Sequence, residues 1–371
     1  MNTKKKILIF HSALAPYRVD FFNALDKEFN ASFYFSLTNL PDQKFDQDAI
    51  RKKCTFVNNY LPNGIDIFGY LIRTGIISII KKEKPDIILC AEYGPITLIV
   101  FLYKLLFKQR FHFYTMSDDS IKDSKSRKGI RALLRNVVPK NIEGVIFPSE
   151  EVGNWYKDNI SAKTKTLELP IIHNDEVFRN ELLQSISLAN DNITNYNLKD
   201  KKVILFVGRL VEVKNLPFLI KVTAQLKSND WVLVIVGDGI LINELKNQAK
   251  NLNISDKILF VGRKEAIELY AWYAIAQILV LPSTSEKFGA VVNEALLGGC
   301  KVLCSELAGA SILINNDNGI VFNPYNENEF LTSLENTLKT VDVTSSDIQK
   351  IRENKMPFTF REKVDVLINN L

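Results

Sequence analysis

Pro282 to Gly299 reads PSTSEKFGAVVNEALLGG. It follows QILVL at 277–281, an apolar run of buried-strand length, and its opening proline and hydroxyl residues end that strand. The chain then turns helical near Gly289. A strand that hands over directly to a helix comes back to its sheet as a parallel neighbour, and repeated units of this kind build a doubly wound α/β layer.

The same alternation runs outward in both directions. In the same half of the chain β-rich runs lie at 203–207, 231–236, 258–261, 301–305 and 320–322, and in the first half at 6–11, 32–37, 86–91, 111–117, 144–149 and 166–170. A polar passage rich in Asn and Asp, 190–202, separates the two series. The expected architecture is therefore two Rossmann-like domains facing a central cleft: 1–188, a linker at 189–201, and 202–355. A terminal amphipathic helix within 356–371, FREKVDVLINNL at its core, crosses back to the first domain. Such sheets bind ligands beyond the carboxyl ends of their strands, so residues just after strands are the candidates.

Three strand ends in the second half carry the same signature. The run 203–207 delivers Gly208 and Arg209 and, past a turn, Lys214; 231–236 ends in Gly237, Asp238 and Gly239; 258–261 ends in Gly262 and Arg263. A guanidinium and an ammonium suit a diphosphate whose charge grows as a glycosidic bond breaks; a solvated turn with surface cations is the other reading. In 282–299 the amides of Gly289, Ala290 and Val291 form a helix's first turn, a place for phosphate or sugar oxygens. Glu286 and Glu294 stand about 12 Å apart by helical rise, less if the loop folds back, close to the length of a ribose, diphosphate and hexose. Against this stands a plain structural role, with Glu286 capping the helix and Glu294 on a half-exposed face.

At 371 residues the chain is long enough for two cores. Its cysteines, Cys54, Cys90, Cys300 and Cys304, form no CxxC pair, which speaks against zinc or a disulfide framework. The apolar run 7–10 is too short for a signal peptide, and 96–107 is too short to span a bilayer, so a cytoplasmic location is expected. Residues 1–185 hold 27 Lys and Arg against 21 Asp and Glu, the remainder 20 against 21. The basic half implies an anionic partner or an ordinary solvated surface. Its stretch 122–140, KDSKSRKGIRALLRNVVPK, places Ile130, Leu133, Leu134, Val137 and Val138 at near-helical spacing among cations, as a helix on the inner face of the cytoplasmic membrane would, or as a domain helix with a solvated basic face. Asp46, Gln47 and Asp48 supply a DxD, the mark of metal-dependent transferases of a different fold, against which the two-halved strand pattern argues.

GR followed by VKN, then VGDG, VGR and the 282–299 segment resemble, in the same order, the signatures of the retaining glycosyltransferase family four (glycosyl transferases group 1, GT-B fold), specifically across about 201–325. The resemblance implies a retaining, metal-independent hexosyl transfer from a nucleotide diphosphate sugar, UDP favoured and GDP second, with no cofactor and no nucleic acid. It implies the roles residue by residue: Arg209 and Lys214 at the diphosphate, Glu286 at the hexose, Glu294 at the ribose, amides of Phe288, Gly289, Ala290 and Val291 on the donor, and Gly262 with Arg263 beside the base. The implied acceptor is a glycan or lipid-linked precursor in bacterial cell-surface polysaccharide synthesis.

Two departures touch the acceptor half. Where the family often has a glycine loop after the first strand, this chain reads HSALAPYR at 11–18; Pro16, Tyr17 and Arg18 remain as candidates, Tyr17 to stack on a sugar and Arg18 to bind an anion, or to stand as an exposed cation at a helix start. Where many relatives carry a His, this chain has Ser117, followed by Asp118 and Asp119, which either bond sugar hydroxyls or cap a turn. His112 is expected in the core. A sugar-nucleotide epimerase of the same fold, and an inactive sugar-nucleotide-binding protein, are the alternatives.

Overall fold

The computed structural model describes residues 4–40, 45–62, 64–67, 70–126 and 128–371. It divides into two compact units, Met1–Ile171 with Phe360–Leu371, and Ile172–Thr359.

The first unit holds β1 (Lys6–His11), β2 (Asn30–Phe35), β3 (Asn58–Tyr60), the antiparallel pair β4 (Ile65–Ile67) and β5 (Tyr70–Ile72), then β6 (Ile87–Ala91), β7 (His112–Met116), β8 (Gly144–Phe147) and β9 (Thr166–Glu168). Its main sheet runs β3-β2-β1-β6-β7-β8-β9 and is parallel throughout. In the second unit β10 (Lys202–Val207), β11 (Trp231–Val236), β12 (Ile258–Gly262), β13 (Ile278–Leu281), β14 (Lys301–Ser305) and β15 (Gly319–Phe322) form a parallel sheet ordered β12-β11-β10-β13-β14-β15. Both orders start at an inner strand, run to one edge, jump back beside that first strand and run to the other edge. The loops after β10 and β13 therefore lead to opposite faces and leave a crevice at their carboxyl ends, as the loops after β1 and β6 do.

The core explains why these runs are strands. β11 is buried at every position and β10 at all but Lys202, which near-continuous Val, Ile and Leu require when helices cover both faces. β3, β4 and β5 are three residues each, NNY, IDI and YLI, too short for an apolar pattern to mark them as strands, and strand-by-strand reading misses them.

The expected linker at 189–201 is not one. Residues Ile186–Asn195 form a helix of the second unit, which begins at Ile172 rather than 202. Ala189 and Ile193, four positions apart, are buried, while Tyr196 packs on Trp272 at 5.5 Å between ring centroids. The preceding helix, Asp175–Gln184, sets Phe178 edge-on to Tyr270 at 4.9 Å. Of the residues that suggested a linker, Asp191 and Asn195 lie on the solvent face of this amphipathic helix, while Asn190 accepts from Ile348 N at 2.8 Å and donates to Ile348 O at 3.1 Å.

The terminal helix, Phe360–Ile368, does return to the first unit. It buries Phe360, Val364 and Leu367, and Lys363 Nζ reaches Glu168 Oε2 at 2.6 Å. The Asn370 carbonyl accepts from Tyr114 Oη at 3.3 Å and Lys165 Nζ at 2.9 Å.

Candidate functional site

The carboxyl edge of the second sheet is a ledge of backbone. Gly208 N donates to Val236 O at 3.0 Å, Leu210 N to Asp238 O at 2.7 Å, and Gly237 N to Gly262 O at 2.9 Å, so the loops after β10, β11 and β12 are bonded in series. Gly237, at φ 146°, has no room for a side chain, since a Cβ there would lie 1.9 Å from Gly208 O. Glycine at this strand end lets two loops touch, a structural demand beyond the ligand approach its sequence suggests. Gly262 is open around its Cα, and Arg263, beside it, is exposed and bonds Glu265 through Nε at 2.9 Å. Asp238 is exposed at the tip of the β11 loop.

Over this ledge Lys214 and Glu286 meet as an ion pair. Lys214 closes the short helical turn Glu212–Lys214, and its Cε lies 3.7 Å from where a Gly208 Cβ would stand, so the side chain runs back across the end of β10. The Glu286 loop is fastened on both sides: Thr284 N donates to Val213 O at 2.9 Å, and Ala310 N to Phe288 O at 2.7 Å. Phe288 is buried under the loop. Gly289, at φ 100°, is the N-cap of the helix Ala290–Leu297; a Cβ there would strike Leu281 at 2.7 Å and stand 3.3 Å from Glu286 Cγ. The loop thus folds back over the helix start, and Glu286 lies closer to it than extended rise gives. By helix geometry the amides of Ala290 and Val291 point into this loop without intrahelical partners. Arg209 is exposed, and among the described residues no carboxylate pairs with it.

One turn into that helix, Glu294 is held by two groups that the sequence does not announce. Tyr273 Oη donates to Oε2 at 2.6 Å, and His173 Nε2 lies 3.3 Å from Oε1. Burial, then the nearby Glu294 charge, pushes the Tyr273 hydroxyl well above its ordinary pKa, so it remains a donor. Arg352 in turn fixes the end of the helix Ala266–Ile275, donating to the carbonyls of Tyr273 and Ala274 at 2.9 Å each.

The first unit treats its candidates differently. Arg18 is neither an exposed cation nor a free anion site: it is 2% exposed and paired with Asp118. Asp119 is fully buried in an ion pair with Arg135, whose Nη1 also donates to Ser124 O at 2.6 Å, so it is closed to sugar hydroxyls. Asp118 keeps a quarter of its side chain open. Pro16 begins the helix Pro16–Glu28, and Tyr17 beside it has the Arg18 guanidinium 5.9 Å from its ring centroid. His11 is buried next to this pair; burial, then the Arg18 charge, lowers its pKa to about 4, leaving it neutral at pH 7. Ser117 is wholly buried, and His112, expected in the core, is exposed at the first position of β7.

Asp46 is the N-cap of the helix Gln47–Arg51, accepting from Asp48 N at 3.0 Å and Ala49 N at 3.1 Å, so the DxD is a helix start. In the basic stretch Leu134 and Val138 are buried while Leu133 and Val137 are exposed; the Ile130 side chain lies outside the described residues. Arg135, read there as part of a basic surface, is internal. Among the described residues no helix is long and apolar enough to cross a membrane.

Two parallel doubly wound units, the second with its polar groups gathered at the β10 and β13 ends, define the GT-B class of α/β proteins. Residues 190–352, all within the second unit, match the family described as "Glycosyl transferases group 1". The chain is 37% identical over 144 residues, 38% of each chain, to the N-acetylgalactosamine-N,N'-diacetylbacillosaminyl-diphospho-undecaprenol 4-alpha-N-acetylgalactosaminyltransferase of Campylobacter jejuni. It is 26% identical over 85% of its own length to the UDP-Gal:alpha-D-GlcNAc-diphosphoundecaprenol alpha-1,3-galactosyltransferase of Escherichia coli, spanning 84% of that protein. Several other curated relatives are matched over less than half their length. Among solved structures, Anabaena Alr3699/HepE in complex with UDP and glucose superposes with a TM-score of 0.72 at 15% identity, covering 99% of this chain and 97% of that one.

Proposed function

We propose that this protein is a retaining, metal-independent glycosyltransferase that moves a hexose from a nucleotide diphosphate sugar, UDP favoured, to a hydroxyl of a glycan or lipid-linked acceptor in surface polysaccharide synthesis. The observation that carries the reading is the Lys214–Glu286 pair, poised over the β10 end beside the exposed Arg209 and the first turn of the 290–297 helix. As the glycosidic bond breaks, charge builds on the departing diphosphate, and Lys214 and Arg209 supply the opposite charge that a divalent cation supplies elsewhere. The amides of Ala290 and Val291 add fixed dipoles, which need no reorganisation during the reaction. Glu286 has a second oxygen for a hexose hydroxyl, and Glu294, set by Tyr273 and His173, faces the ribose. The activities of the Campylobacter and Escherichia relatives, both on undecaprenol-linked acceptors, support the acceptor class.

The test is a thermal-shift series with UDP, GDP and ADP in excess chelator. UDP at 100 times its dissociation constant stabilises the protein by about 2.7 kcal/mol, a rise of a few degrees in melting temperature, with a smaller shift for the other two. No shift with any nucleotide, or one that vanishes with chelator, contradicts the proposal.

A further inference from the structure

We infer that His173 is a positioning residue for Glu294 and thereby sets how strongly the site distinguishes ribose from deoxyribose; the inference rests on the reading of Glu294 as the ribose-binding carboxylate. His173 lies on the segment that enters the second unit, two residues after Ile171, the last residue of the first unit's long segment. Its backbone N donates to the buried Asn293 Oδ1 at 2.8 Å, which anchors that segment to the residue next to Glu294. Its ring is tilted on Phe178, 5.0 Å between centroids, so the imidazole has a packed neighbour as well as a polar one. A carboxylate only accepts, so a neutral ring facing Oε1 carries its proton on Nε2.

Glu294 is thus gripped from two directions. Tyr273 holds Oε2 from the buried side, and His173 holds Oε1 from the incoming segment. The side chain keeps 15% of its surface open, so lone pairs remain for two sugar hydroxyls once its angle is set. A carboxylate held by one donor alone turns about its last torsion; a second donor at an angle fixes the plane. Fixing that plane matters where two vicinal hydroxyls are to be read, and hardly at all where a diphosphate is held by cations elsewhere on the ledge. The effect expected from His173 is therefore selective, falling on the ribose and sparing the phosphates.

The experiment compares equilibrium binding of UDP and 2′,3′-dideoxy-UDP by titration calorimetry to wild type, His173→Phe and His173→Gln, with thermal melts confirming that each is folded. Wild type is expected to prefer UDP by at least tenfold, as for a bidentate contact to two hydroxyls. His173→Phe, which keeps the packing on Phe178, brings the preference below threefold while binding dideoxy-UDP as wild type does. His173→Gln, which retains an N–H donor near the Nε2 position, restores most of the preference. Should His173→Phe keep the full preference, or lose affinity for both nucleotides equally, the positioning role is overturned. If wild type binds UDP with no ribose preference, or not at all, the reading of Glu294 fails first and the inference with it.

Discussion

Lys214→Ala is expected to lower nucleotide-sugar turnover by about 10²–10³ in kcat, equivalent to about 2.7–4 kcal/mol of lost transition-state stabilisation, while changing KM for the donor much less. The split follows from when the charge is needed. In the ground state the diphosphate charge is spread and solvated; it concentrates on the leaving oxygens only as the bond breaks, and an ammonium aimed there acts chiefly on that step. Lys214 already sits where its stem crosses the β10 end and its head meets Glu286, so its position costs nothing further on binding. Lys214→Arg is expected to recover only part of the rate, since a planar fork cannot occupy the place of a compact ammonium against Glu286. Steady-state kinetics on both variants check this, and Lys214→Ala turning over within threefold of wild type would remove Lys214 from the chemistry.

The second large effect belongs to the first unit and is structural. Asp119→Ala leaves the buried Arg135 guanidinium without its carboxylate and is expected to cost about 3–5 kcal/mol of stability, enough to leave a fold of ordinary stability marginal. Replacing both partners, Asp119→Leu with Arg135→Met, is expected to restore much of that loss, because the penalty lies in the unpaired charge and not in the missing attraction. Urea unfolding of the single and double variants measures both. A stable Asp119→Ala protein whose only defect is weak acceptor binding would return Asp119 to the role its sequence position suggests.

The two sheets are legible in the sequence because parallel strands buried on both faces must be continuous Val, Ile and Leu, and runs such as VILFV and WVLVIV have no other comfortable place. The donor-side candidates are legible because they lie at the ends of those runs, at positions set by topology alone. The polar helix Ile186–Asn195 is not legible as a helix: its buried stripe is only Ala189 and Ile193, and Asn and Asp dominate the rest. Arg18, Asp118, Asp119 and Arg135 are misleading for a related reason. A charged residue near a strand end reads the same whether it faces solvent or a partner, 100 positions away for Arg18 and Asp118 and 16 for Asp119 and Arg135, and only the tertiary structure pairs them. His173 escapes for want of any local pattern; it has meaning only beside Glu294, whose own reading depends on a helix start fixed by Gly289.

The central claim is that the ledge at the β10 and β13 ends grips a nucleotide sugar and breaks its glycosidic bond. The most direct measurement is the release of nucleoside diphosphate from UDP-sugars by the wild-type chain without acceptor and in excess chelator, followed by chromatography and by NMR of the sugar. The account predicts slow accumulation of UDP together with a free sugar first released with the anomeric configuration of the donor. It is contradicted if UDP- and GDP-sugars alike stay intact, or if an epimer of the nucleotide sugar accumulates instead.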